Sequence, residues 1–173
     1  MANRLFLALV GLALTADSLA CASSQRPAEQ RADCIVRLVV DGDTFRCRDG
    51  RRVRLIGVDS PEQRQDPYGA NAAQALLRML PVGAGVRLER DVALTDRYGR
   101  VLAYAWFGST LVNEAMVRGG WAVLYTVPPN VKYAARLERA QNEARARGAG
   151  LWEERGFECM PADYRRRKCL NRP

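Results

Sequence analysis

A mainly-β α+β fold, with five strands closed into a small barrel and three helices set among them, is what this sequence predicts. The prediction rests on β-branched or alternating runs bounded by turn signals, on stretches with helical apolar spacing, and on the interleaving of the two along one unrepeated chain. At 173 residues the chain suits one domain with a real core of its own.

The elements follow in order. "CIVRLVV" from Cys34 is β-branched and apolar, "DG" at Asp41-Gly42 signals a hairpin, and "DTFRCR" alternates. "DGR" then marks a second turn, and "RVRLIGV" from Arg52 reads as a third strand, completing a meander. Pro67 to Leu80 reads as a helix, with Ala72, Ala73, Leu76, Leu77 and Leu80 on one face, stopped by Pro81 and Gly83. "GVRLERD" and "GRVLAYAWF" supply two more strands. Ser109 is placed to cap a helix running through Arg118. "GGWAVLYTV" looks extended and "PPN" breaks it, so Trp121 reads as core. Val131 to Arg147 is a charged amphipathic helix ending at Gly148. Five strands with inserted helices suit a barrel of the oligonucleotide-binding type.

The ends read differently. "MANRLFLALVGLALTADSLACASS" has one basic residue, an apolar run from Leu5 to Leu14 and then small residues, the shape of a secretory signal peptide cleaved after Ala22. Cys21 in "SLAC" leaves a lipid anchor as the alternative. The expected organisation is a signal peptide at 1–22, a polar leader at 23–33, the folded domain at 34–153 and a basic tail at 154–173. No stretch is long enough to predict a transmembrane helix. The mature chain keeps Cys34, Cys47, Cys159 and Cys169. Three pairings are open, and the local pairs Cys34–Cys47 and Cys159–Cys169 are favoured in an oxidising compartment, secreted or periplasmic.

Charge narrows the chemistry. The net charge is +8, from 27 Lys+Arg against 19 Asp+Glu, with no histidine. Nearly all of the cations are Arg, whose planar fork suits phosphate, so a polyanionic partner is favoured over a merely solubilising surface. The absence of His excludes Ser/His and Cys/His nucleophile pairs and imidazole zinc sites. Any catalysis must run on carboxylates, arginines and a metal.

The run Asp41 to Glu62 concentrates these groups. Together with "DGDTF", "RLIGVDSPE", "DRYGRVLAY", "LVNEAMVRGG" and "GLW", in that order from Ile35 to Trp152, it resembles the staphylococcal nuclease family. That family comprises exported calcium-dependent nucleases with such a barrel and three helices. From the residues themselves, Asp43 and Asp59 make a hard-oxygen corner suited to Ca²⁺ if the meander brings the strand ends together. The resemblance assigns both as metal ligands, with the carbonyl of Ser60 as a third where the family usually has Thr, and leaves Asp41 behind them.

Glu62 is the candidate base, since a carboxylate beside a metal-bound phosphate is the simplest group able to orient or deprotonate water in a chain without His. Arg54 and Arg100 match the family's catalytic arginines, with forks suited to the equatorial oxygens of a phosphorane. Strict alternation puts Arg54 and Asp59 on opposite faces of one strand, so a twist or bulge at Gly57 is required. By the same resemblance Arg97 and Tyr98 hold a terminal phosphate, and Leu102 and Tyr125 pack on a base or sugar. Val127 stands where a second Tyr is expected. The implied function is a monomeric Ca²⁺-dependent endonuclease on DNA and RNA that leaves 3′-phosphates. The rival is a catalytically silent nucleic-acid-binding barrel. The basic run "DYRRRKC" reads as a solvated tail and receives no site.

Overall fold

The computed structural model describes residues 32–169. The expected signal peptide, Cys21 and most of the leader lie outside the described residues.

Strands β1 (Cys34–Val39), β2 (Thr44–Cys47) and β3 (Arg52–Leu55) form the antiparallel meander. β5 (Gly85–Glu89) pairs with the other edge of β1, and β6 (Val101–Phe107) pairs with β5. The barrel closes because β6 also runs parallel to β3, with Arg54 opposite Leu102. Closure removes the free edges that an open sheet would leave. Short strands β4 (Val58–Asp59) and β8 (Val123–Leu124) pair beside the barrel, and β7 (Thr110–Leu111) adds to β6.

Inward positions of the strands supply Val36, Phe45, Val53, Leu55 and Val86, all at or below 1 % exposure. Helix α1 (Tyr68–Met79) adds Ala75 and Leu76 to that core, and α2 (Val112–Arg118) and α3 (Ala134–Ala146) add Met116, Val117 and Leu137. Asn113 is fully buried yet satisfied: it accepts from the Ala105 amide at 2.9 Å and donates to the Ile56 carbonyl at 2.8 Å. It thereby ties α2 to both β6 and the turn after β3. The disulfides are Cys34–Cys47, which staples β1 to β2, and Cys159–Cys169.

Several boundaries differ from expectation. "RVRLIGV" is not one strand, because the chain turns at Ile56-Gly57 between β3 and β4. Ser109 caps nothing: α2 starts after Leu111, whose segment extends the sheet first. Only Val123–Leu124 of "GGWAVLYTV" is strand, since Gly119 and Gly120 and the prolines break pairing on either side. The tail is also more ordered than a solvated run would be, with a short helix α4 (Pro161–Arg165) inside the second disulfide ring.

Candidate active site

The turn after β3 builds the site. Gly57 has φ +77°, and a Cβ there would lie 2.6 Å from Leu137 Cδ1, so a side chain is excluded both by backbone conformation and by space. This reversal carries Asp59 back toward Arg54. Arg54 Nη2 donates to Asp59 Oδ1 at 3.2 Å, and Nη1 donates to the carbonyls of Leu55 and Val58, both at 2.7 Å. The Arg54 Nε lies 3.1 Å from Asp43 Oδ1. One guanidinium therefore holds both candidate metal ligands and the turn that presents them.

Asp43 sits at the end of the β1–β2 hairpin, where its own amide donates to Asp41 Oδ1 at 3.0 Å. Ser60 donates to Asp43 Oδ2 through its amide at 2.9 Å and its hydroxyl at 3.1 Å, while Thr44 donates to Oδ1. The Ser60 carbonyl, the expected third ligand, takes no part in these bonds. The contacts Ser60 makes here orient Asp43. Gly42 permits this approach, for a Cβ there would come within 2.6 Å of Ser60 Cβ.

The carboxylates are unequally compensated. Burial works against the Asp43 charge, but the Arg54 guanidinium and the hydrogen bonds from Ser60 and Thr44 outweigh it and hold its pKa below the ordinary value. Asp41 is pushed up to about 7 by burial and then by the neighbouring Asp43 charge. Asp59 is also raised, chiefly because it is buried, against the opposing pull of Arg165 and Arg54. Two buried carboxylates, Asp43 and Asp59, with the half-buried Asp41 behind them, fit a hard cation, the donor chemistry that Ca²⁺ or Mg²⁺ takes. Among the described residues no three His, Cys, Asp or Glu side chains form a ready-made cage, so such an ion would draw its remaining ligands from backbone, water or substrate.

Glu62 and Arg100 share an open cleft with Asp43, Arg54 and Asp59. The Glu62 amide donates to Gln65 Oε1 at 2.8 Å, which fixes the loop after Pro61. Arg100 is held differently from Arg54. Its Nε donates to Asp96 Oδ2 at 2.6 Å and its Nη1 makes only a 3.5 Å contact to Thr44 Oγ1, so most of its fork is uncommitted. Tyr98 is 62 % exposed at the rim, with the Arg97 and Arg100 guanidinia over its ring at 4.8 and 5.5 Å. Leu102, Tyr125, Val127 and Pro128 line an adjoining apolar hollow that Arg54 and Arg100 also border. All the expected site residues except Leu102 therefore reach the polar cleft, and Leu102 lies next door.

Three participants escaped the sequence reading. Asp96 anchors Arg100 and accepts from the amides of Tyr98 and Arg100; the Asp of a D-x-x-G turn was a usable signal. Gln65 is buried and bridges Glu62 to the Cys159 carbonyl. Arg165, from the tail, lies against Asp59 and Glu62. Nothing local in the sequence marks Arg165, whose partners are distant, and Gln65 joins a local partner, Glu62, to a distant one, the Cys159 carbonyl.

Comparison with known proteins decides the family. The family model described as "Staphylococcal nuclease homologue" matches residues 52–154. This chain belongs to the staphylococcal nuclease family. A thermonuclease of Staphylococcus intermedius is 41 % identical over 127 residues, covering 69 % of this chain and 75 % of the relative. A thermonuclease of Staphylococcus hyicus is 40 % identical over 122 residues, covering 66 % and 72 %. Endonuclease YncB of Bacillus subtilis is 31 % identical over 128 residues, covering 68 % and 60 %. The match to the staphylococcal nuclease family begins at β3, so it takes in Arg54, the Gly57 turn, Asp59, Glu62 and Arg100. Asp43 and the first hairpin precede it.

Proposed function

We propose that this nuclease-type hydrolase is a Ca²⁺-dependent endonuclease that cleaves DNA and RNA with little sequence preference and leaves 3′-phosphate ends. The observation that carries this reading is the attachment of Asp43 and Asp59 to one guanidinium, with Glu62 and the uncommitted fork of Arg100 on the same cleft. A bound Ca²⁺ would supply Lewis-acid polarisation of a non-bridging phosphate oxygen. Asp43 and Asp59 would hold it, and Ser60 and Arg54 keep those carboxylates in place.

The chain's own residues do the rest. Glu62 accepts a hydrogen bond from, or the proton of, the attacking water. As the water oxygen bonds to phosphorus, the bond to the 5′ oxygen breaks, and that oxygen takes a proton from solvent. Arg100 gains contacts as charge builds on the equatorial oxygens, so it binds the transition state better than the diester. Tyr125 and the apolar hollow around Leu102 receive a base or sugar by stacking and packing, which tolerates any base. Arg97 and Tyr98 sit at the rim for a neighbouring phosphate. The apolar run from Leu5 to Leu14 and the two disulfides support a secreted or periplasmic protein.

Incubating plasmid DNA and total RNA with the protein in Ca²⁺, Mg²⁺ or chelator tests the reading. Cleavage of both polymers in Ca²⁺, abolished by chelator, is expected. Undiminished cleavage in chelator would contradict it, and binding without cleavage under every condition would favour a silent binding barrel.

A further inference from the structure

The C-terminal tail reaches into the cleft. Arg165 Nη1 and Nη2 donate to the two oxygens of Asp59 at 3.0 and 2.8 Å, and Nη1 also donates to Glu62 Oε1 at 2.6 Å. This is no chance touch of a loose arm. The Tyr164 hydroxyl donates to the Arg64 carbonyl at 3.0 Å, and Gln65 Nε2 donates to the Cys159 carbonyl at 3.1 Å. Phe157 is buried against Trp152, Val123 and Leu151, and the Cys159–Cys169 disulfide closes a ring around α4. The segment is thus anchored on both sides of the guanidinium.

We propose that Arg165 is a built-in counter-cation, which occupies the Asp59 and Glu62 carboxylates in the metal-free protein and is displaced when a divalent cation binds. The inference rests on the reading of Asp59 as a metal ligand. With Arg54 and Arg165 together, both oxygens of Asp59 already accept charge-assisted hydrogen bonds. A cation taking either oxygen faces the Arg165 guanidinium across the same carboxylate, like charge against like. Glu62 is held by the same group, so one side chain masks both a ligand and the candidate base. Release is feasible because the Arg165 side chain is 40 % exposed while that of Asp59 is 2 % exposed. The arginine can turn out to solvent, and the carboxylate stays behind on Arg54. The device would set the Ca²⁺ concentration at which the cleft becomes competent.

The test is calorimetric titration of Ca²⁺ into the full chain, paired with melting in chelator and in saturating Ca²⁺. Arg165→Gln removes the competing charge, so its Ca²⁺ dissociation constant should fall roughly tenfold, as expected for losing one charge-assisted contact. Its melting temperature should drop in chelator, where Asp59 loses one of its two arginine partners, and recover in Ca²⁺. Cys159→Ser with Cys169→Ser loosens the anchor and should shift Ca²⁺ affinity the same way by less. Arg166→Gln, exposed and without an ion pair among the described residues, should match the parent. Unchanged or weaker Ca²⁺ binding in Arg165→Gln, or an equal loss of stability with and without Ca²⁺, would overturn the proposal and leave Arg165 a structural brace. If neither parent nor variant binds Ca²⁺, the metal reading of Asp59 fails, and this inference fails with it.

Discussion

Arg54 and Asp59 meet at 3.2 Å although five residues of a nominal strand should point them to opposite faces. The reversal at Gly57 is what allows it, and Asn113 fastens the turn from behind through the Ile56 carbonyl. The site therefore depends on a backbone conformation that only glycine adopts there without strain.

Gly57→Ala should accordingly cost about 3 kcal/mol of stability, the sum of a left-handed penalty and a forced clash with Leu137. Activity should fall further than the folded fraction does, because Asp59 shifts from Arg54. Urea melts and turnover measured on the folded fraction check both statements. A variant of parental stability would show that the turn is not constrained as described.

Asp41 makes a prediction in pH. Its carboxyl is pushed up to about 7 in the fold from an ordinary 3.8. The folded state then binds more protons than the unfolded state between those values, so this group removes stability as pH rises through that window. In chelator, Asp41→Asn should be more stable than the parent at pH 7.5, and the gain should shrink toward pH 4. The amide oxygen still accepts from the Asp43 amide, so the hairpin is kept. A gain independent of pH would mean that Asp41 is not the strained group.

The two candidate arginines of the cleft should fail differently when changed to Lys. Arg100 leaves most of its fork to the cleft, so Arg100→Lys should lose at least roughly 10²-fold in turnover, about 2.7 kcal/mol, with little change in melting temperature. Arg54 spends its fork on two carbonyls and two carboxylates. Arg54→Lys should therefore lose turnover and stability together, since a point charge cannot bridge four acceptors. Arg166→Lys serves as control. If both site variants behaved like the control, the cluster would be only a charged surface.

The strands and helices could be read from periodicity and turn signals because those are local properties. So could the need for a break at Gly57, which follows from the two-residue period of a strand. The order of elements suited a closed barrel but could not prove closure, which rests on the long-range pairing of β3 with β6. Boundaries slipped where tertiary pairing overrode local preference: Thr110–Leu111 joins β6 before α2 can begin, and Val131 to Tyr133 stay outside α3. Motif order named the residues that share the cleft, but it did not show the contacts among them. Arg54 proved to be a scaffold for the carboxylates as well as a charge, and Ser60 a donor to Asp43. Arg165 was invisible because its partners Asp59 and Glu62 lie more than 100 residues away, and no spacing rule reaches that far.

The most direct test of the central claim, that this carboxylate and arginine cleft performs phosphodiester hydrolysis, is Glu62→Gln. The change keeps shape and hydrogen bonding while removing the charge proposed to take or orient the water's proton. Single-turnover cleavage of a DNA oligonucleotide in saturating Ca²⁺ should drop by at least roughly 10²-fold, while binding of the same oligonucleotide changes by less than about twofold. Parental turnover in Glu62→Gln, or equal losses in turnover and binding, would contradict the account.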